Sequence, residues 1–137
     1  MKDLANNYGK AAVEYAEACI KNKSLPSRIG WEVFLCEEGF TVYESEKGCP
    51  KNTFLSLCEH GHIKGIPAGH YLYSYSCKEY DYAKIALLLL REKPLLCDTP
   101  DILWTEVMKK GGFDITKTHN HQMYVVCYLW KAKLINQ

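Results

Sequence analysis

Hydrophobic residues recur at helical spacing along most of the chain. From Leu4 to Lys21 the apolar side chains fall three or four positions apart, and charged side chains occupy the other face. Ser24 and Pro26 then supply an N-cap and an early proline, and the apolar residues that follow continue to Glu38. We therefore predict two amphipathic helices, one over 4–21 and one from about Pro26 to Glu38.

The same periodicity predicts four further helices. Cys49-Pro50 opens the third, which ends at Gly61, because proline suits the first helical position and its missing amide costs nothing there. The fourth to sixth helices cover about 78–92, 99–111 and 119–132. The polar stretch 41–48 predicts a loop or an edge segment, and the alternating tyrosines of 71–75 fit a short extended segment or hairpin.

Glycines mark three of the predicted helix ends. Gly39, Gly61 and Gly111 are each followed closely by an apolar residue, as in a helix cap where glycine takes a left-handed conformation. The segments around Gly39 and Gly61 share leucine, cysteine and glutamate, and 107–113 and 129–135 are looser copies. Local capping explains this similarity, and an ancestral helical repeat remains an alternative.

Composition and charge narrow the class of protein. With 137 residues, 47% hydrophobic and 24% charged, the chain is predicted to be one all-α domain over 1–137, a compact bundle of five or six helices. The net charge of +1 favours neither nucleic acid nor an anionic membrane, and the longest apolar run is too short to span a bilayer. Seven cysteines, an odd number with no leader, indicate reduced thiols in the cytoplasm.

Cysteine and histidine cluster near the end of the third predicted helix. Cys58, His60 and His62 are residue types that zinc prefers, which makes a metal site a weak alternative. No Cys-x-x-Cys pair accompanies them, so a buried thiol and helix-terminal histidines explain them better. Cys49 lies at a predicted helix N-terminus, where a thiol can become reactive, yet no catalytic signature surrounds it. We predict no cofactor and favour a non-enzymatic role.

The segment after Gly61 supplies the predicted binding surface. It is rich in glycine and proline, which indicates an ordered loop, and tyrosines follow it. Exposed tyrosines are common anchors at protein interfaces, so we predict that the loop contacts a protein partner or a second copy of the chain. The predicted binding residues are Lys64, Gly65, Gly69, His70, Tyr71, Tyr73 and Tyr75.

Nucleic-acid binding through the last helix is the alternative function. The polar side chains that could contact bases or phosphates there are His119, Asn120, His121, Gln122, Lys131 and Lys133. The connection over 111–118 is longer than the turn of a helix-turn-helix motif, and the basic footprint that drives such binding is absent. A protein-interaction or regulatory module is therefore the preferred interpretation.

Two segments resemble a known family. The run GCPKNTFLSLCEHGHIKGIPAGHY, from Gly48 to Tyr71, is similar to the central segment of a small bacterial family of uncharacterised proteins. The stretch from His121 to Ile135 is similar to the family's ending. The resemblance implies a bacterial or phage origin and a shared scaffold. Because the family has no assigned activity, the resemblance implies no functional residue.

Overall fold

Residues 3–72, 78–119 and 121–136 are described by the computed structural model. They form seven α-helices and one short 3-10 helix. The helices are α1 Leu4–Asn22, α2 Arg28–Glu37, α3 Val42–Glu46, α4 Gly48–Glu59, α5 Lys78–Glu92, the 3-10 helix Pro94–Asp98, α6 Pro100–Gly111 and α7 Gln122–Lys131. No described residue belongs to a strand, which confirms the all-α fold class.

The assignment of the stretch 41–48 as a loop or an edge segment is wrong, and the 3-10 helix Pro94–Asp98 was not predicted. The stretch 41–48 contains α3, whose start is fixed by a capping box: the Thr41 hydroxyl accepts from the Glu44 amide, and the Glu44 carboxylate accepts from the Thr41 amide. This reciprocal pair satisfies two amides that a helix start would otherwise leave unpaired. A helix of five residues is too short to produce a hydrophobic period, so its local capping residues define it.

Helix C-termini share one hydrogen-bond pattern. The Phe40 amide donates to the Leu35 carbonyl at 3.0 Å, and the Phe113 amide donates to the Met108 carbonyl at 2.9 Å. These are Schellman caps, closed by a residue of positive φ. Gly39 and Gly61 have that conformation as predicted, but the prediction of Gly111 is wrong by one residue. Gly111 ends α6 as a helical residue, and the left-handed position is Gly112, with φ of 69°.

The first and last helices form the centre of the bundle. Among the described residues, α1 contacts α7 more extensively than it contacts any other helix. The backbones approach closely at Gly9, where a Cβ atom would lie 2.6 Å from Cγ of Tyr128 and 2.9 Å from the Tyr124 carbonyl oxygen. The Tyr128 hydroxyl also donates to the Asn6 side-chain oxygen at 2.6 Å. A side chain at position 9 would therefore push the two helices apart.

Helix α2 lies at the edge of the bundle and is held there from one side. Trp31 and Leu35 are its buried residues, and the Trp31 ring stacks on Phe54 of α4 at 5.2 Å. The Lys51 ammonium, on a side chain only 4% exposed, lies 2.7 Å from the Glu32 carboxylate. This ion pair ties α2 to α4 beside the aromatic contact, while the other side of α2 faces solvent.

The C-terminal segment after α7 is fastened to the loop after α4. Ile63 and Ile135 form an isolated antiparallel bridge, and both side chains are buried. The Lys64 amide donates to the Leu134 carbonyl at 2.7 Å, and the Asn136 amide donates to the His62 carbonyl at 2.8 Å. The loop that carries the predicted binding residues therefore starts from a fixed point. None of the described helices combines the length and apolar character needed to cross a membrane.

Candidate functional site

The predicted binding loop is organised by one carboxylate. Glu59, near the end of α4, accepts the amides of Tyr71 and Leu72 through Oε1, at 2.8 and 3.0 Å. Its backbone carbonyl accepts the Gly69 amide at 3.2 Å. The Tyr71 hydroxyl donates to the Pro67 carbonyl at 2.6 Å, which closes the loop on itself. The described part of the segment is thus an ordered connector with a defined surface.

The predicted binding residues fall in two places. His70 and Tyr71 line a cleft with Ile29 at the start of α2, whereas Lys64 lines a different cleft with Trp130 and Lys133. Gly65 and Gly69 shape the backbone of the loop, with φ of 82° at Gly65. Tyr73 and Tyr75 lie outside the described residues. The structure therefore brings only part of the predicted set to one surface, next to α2.

The cleft beside α2 has a volume of about 310 Å³. Its walls come from the start of α2 and from the end of the loop, and its residues are Ser27, Arg28, Ile29, His70, Tyr71 and Leu72. Ser27 caps α2 by accepting the Gly30 amide at 2.8 Å. The Ser27 amide itself donates to the Tyr15 hydroxyl at 3.1 Å, and burial raises the pKa of Tyr15 to about 12. The phenol is thus a fixed, neutral support beneath the cleft.

The outer face of α2 carries apolar side chains in a row. Ile29 is 72% exposed and Val33 is 52% exposed, and the exposed Cys36 follows one turn later. The spacings of four and three residues place these three side chains along one face of the helix. The sequence shows that α2 is apolar, but it does not separate the residues that face the core from those that face outward. The available signal was that this ten-residue helix is apolar on two sides, although a helix at the edge of a bundle needs only one apolar side.

A second cleft continues this row onto α3. It has a volume of about 390 Å³, and its apolar surface comes from Val33, Cys36 and the 65% exposed Val42. The polar residues around it are Glu32, Glu37, Ser45 and Glu46. We call this cleft the α2–α3 groove. It was not predicted, because α3 was not recognised as a helix.

The cysteine and histidine cluster is divided between the core and the surface of α5. Cys58 is buried, and burial raises the pKa of its thiol well above the ordinary value. The His60 ring stacks on Tyr80 at 3.8 Å, and Nε2 of His62 lies 3.1 Å from the Tyr80 hydroxyl. Within the described ranges, no group of three metal-ligating side chains is present. Cys49 lies half-buried in the first turn of α4.

The last helix is enclosed by other helices. Gln122 is buried at its start, and the His119 ring stacks on Trp104 at 5.2 Å. Nδ1 of His119 accepts the His121 amide at 3.1 Å, and burial lowers the pKa of the His119 ring. Lys131 lies 3.0 Å from Asp98. Most of the candidate base contacts thus make internal contacts, and Asn120 lies outside the described residues.

Comparison with known proteins gives a family. A protein family of unknown function, DUF6979, matches the chain over residues 5–136. The chain belongs to this family. The resemblance to a family of uncharacterised proteins is thereby confirmed, while no curated protein and no solved structure matches the chain. Since DUF6979 has no stated function, the function of this member has to be argued from its own surface.

Proposed function

We propose that the chain is a non-enzymatic protein-interaction module that binds a partner protein along the outer face of α2. The row of exposed apolar side chains on α2, at Ile29, Val33 and Cys36, is the observation that supports this function. The row is continuous with both clefts, because Ile29 lines one and Val33 lines the other. His70 and Tyr71 form the far edge of the surface.

The energetic argument concerns several apolar side chains together. Full burial of one aliphatic side chain stabilises by about 1.5–3 kcal/mol, and the exposed residues of this face lack much of that stabilisation. Single exposed apolar residues are ordinary, whereas contiguous apolar surface rimmed by polar groups is typical of interaction sites. A partner that covered Ile29, Val33 and Val42 would recover this free energy on binding.

The proposed setting is the bacterial cytoplasm. Five cysteines in the described ranges, Cys19, Cys36, Cys58, Cys97 and Cys127, are free thiols, and unpaired cysteines are typical of a reducing compartment. The bacterial assignment follows from the family resemblance of the central segment. Of the predicted binding loop, His70 and Tyr71 are proposed as the second edge of the surface, with Glu59 accepting the Tyr71 amide.

Site-specific cross-linking tests the function. A photoreactive amino acid at position 33 is expected to trap a protein in the source cells, and the same amino acid at position 102 is the control. Ile102 is 53% exposed on α6, so it matches the 52% exposed Val33 in environment. The trapped protein is then purified and its affinity for the chain is measured directly.

The affinity measurement decides the outcome. Val33→Asp should weaken binding of the purified partner by about tenfold or more, because it removes an apolar contact and buries an unpaired carboxylate in its place. Ile102→Asp should leave the affinity within about twofold. Equal affinities for both variants, or cross-links that do not depend on position 33, would show that this face is not the binding surface.

A further inference from the structure

The α2–α3 groove has the shape expected for a helical occupant. Two helices form its walls, and its apolar surface runs from Val33 and Cys36 to Val42. Ile29, which lines the neighbouring cleft, extends the exposed row of α2 beyond the groove to about 10 Å, given a rise of about 1.5 Å per residue, which is about two turns of a helix. The described residues offer no exposed sheet edge to which a strand could add. A polyproline segment would need an aromatic-lined groove, and no described aromatic residue lines this one, whereas insertion of an amphipathic helix into an apolar groove is a common mode of peptide recognition.

The groove is acidic although the chain as a whole is not. Three carboxylates line it, from Glu32, Glu37 and Glu46, and none of its described lining residues is cationic. The Lys51 ammonium compensates Glu32 from beneath, where it is almost fully buried. Glu37 and Glu46 are exposed and lie at the rim of the groove. The chain carries a net charge of +1, so this concentration of negative charge is local.

A second copy of the chain fits this groove poorly. In a twofold symmetric pair the same surface meets itself, so Glu37 and Glu46 of one copy would face the same carboxylates of the other. Like charges placed opposite each other at an interface are unfavourable. A partner that offers lysine or arginine at the rim gains from the same carboxylates. The charge distribution therefore favours a different protein over self-association.

We infer that the partner segment is a basic amphipathic helix, seated in the α2–α3 groove with its apolar face on Val33, Cys36 and Val42 and its basic side chains against Glu37 and Glu46. This inference rests on the proposed protein-interaction function and specifies the partner. The helix presents apolar residues three and four positions apart over about two turns, flanked by lysine or arginine. An anchor of this size buries little surface, so the complex is weak and transient.

Designed peptides test the inference with the full chain. The first is a fluorescein-labelled helix of leucine, alanine and lysine, about 20 residues long, because isolated helices of up to about 15 residues are only marginally stable in water. The second replaces every lysine by glutamate, and the third has the composition of the first with the leucine spacing scrambled. Fluorescence anisotropy reports binding of the labelled peptide. The measurement is made at low ionic strength, because screening by salt weakens contacts between exposed charges. Only the first peptide is expected to bind well.

Charge reversal locates the binding site. Glu37→Lys combined with Glu46→Lys should weaken binding of the lysine peptide by about tenfold or more. The control variant combines Glu17→Lys with Glu92→Lys, which changes the net charge equally at exposed positions that do not line the groove. The control should bind within about twofold of the unmodified chain. Circular dichroism of both variants checks that the helical fold is retained.

Four outcomes would overturn the inference: no binding of the lysine peptide up to about 1 mM, equal binding of the scrambled peptide, a preference for the glutamate peptide, or no effect of charge reversal in the groove. Sedimentation at the same concentrations adds a fifth, because dimerisation lost in Val33→Asp would identify a second copy as the occupant. If these tests fail while binding of a cross-linked partner still depends on Val33, the proposed interaction surface stands and only the inferred basic helix of the partner is wrong. If no partner depends on Val33, the proposed function itself fails.

Discussion

Replacing Gly9 with alanine tests how α1 and α7 pack. In the middle of an exposed helix this change would stabilise by about 1 kcal/mol, because alanine is the better helix former. Here the added Cβ would lie 2.6 Å from Cγ of Tyr128 and 2.9 Å from the backbone oxygen of Tyr124. Ordinary contacts of a Cβ begin near 3.4 Å, so the backbone of α7 has to move as well as a side chain. We expect a net destabilisation in place of the usual gain.

The magnitude follows from three contributions. Forcing an extra carbon into a packed helix contact costs about 1–3 kcal/mol and occasionally more. Displacing the Tyr128 ring also weakens its 2.6 Å hydrogen bond to Asn6, worth about 1 kcal/mol. The gain in helix propensity offsets part of this cost. The net loss is about 1–3 kcal/mol, which lowers the Tm of a domain of this size by about 4–12 °C.

Urea and thermal unfolding, followed by circular dichroism, measure the change. Gly48→Ala serves as the matched control, because Gly48 is helical and its Cβ would meet only the Asn52 side chain, at an ordinary 3.4 Å. Gly39→Ala isolates backbone strain, since nothing lies near its Cβ but its φ is 99°. If Gly9→Ala were as stable as Gly48→Ala, the close approach of α1 and α7 would be refuted.

Three further predictions concern buried polar groups. Glu32→Gln removes the carboxylate partner of the almost buried Lys51 and should cost about 3 kcal/mol in urea unfolding, while adding Lys51→Met should recover most of the loss. Glu59→Ala leaves two loop amides without their acceptor and should cost about 2 kcal/mol and speed their hydrogen exchange, whereas Glu59→Gln should retain most of the protection. Burial lowers the pKa of His119, so as the pH falls this ring is protonated in the unfolded chain before it is protonated in the folded one. Its contribution to the free energy of unfolding is therefore complete above about pH 6.5 and declines below it, by at most about 1.4 kcal/mol per pH unit. Unfolding of His119→Gln between pH 7 and 5 should therefore show a flatter profile than the unmodified chain.

Much of the fold was predictable because the bundle follows local rules. The six long helices have a hydrophobic period, and Gly39 and Gly61 mark two of their ends. At 111–112 two glycines are adjacent, and only the three-dimensional path decides which one takes the left-handed conformation. The five-residue α3 lacks a period, although Thr41 and Glu44 already showed its capping box in the sequence.

The candidate surface was only partly predictable, because exposure depends on distant neighbours. Ile29, Trp31 and Val33 are all hydrophobic side chains, yet Trp31 is enclosed while the other two face outward. What separates them is the position of Phe54, 23 residues further along the chain, on which Trp31 stacks. His70 and Tyr71 were recognised by composition, but their proximity to Ile29 required the fold.

The pairing of α1 with α7 also constrains how the protein is made. During synthesis, α1 leaves the ribosome about one hundred residues before its principal partner, α7. Asn6 and Gly9, which contact Tyr128 and Tyr124 of α7 in the finished bundle, therefore remain without these partners while more than one hundred residues are added. The bridge between Ile63 and Ile135 likewise forms only after α7 has been made. A ribosome that stalled before α7 would release a chain in which the face of α1 that meets α7 is uncovered.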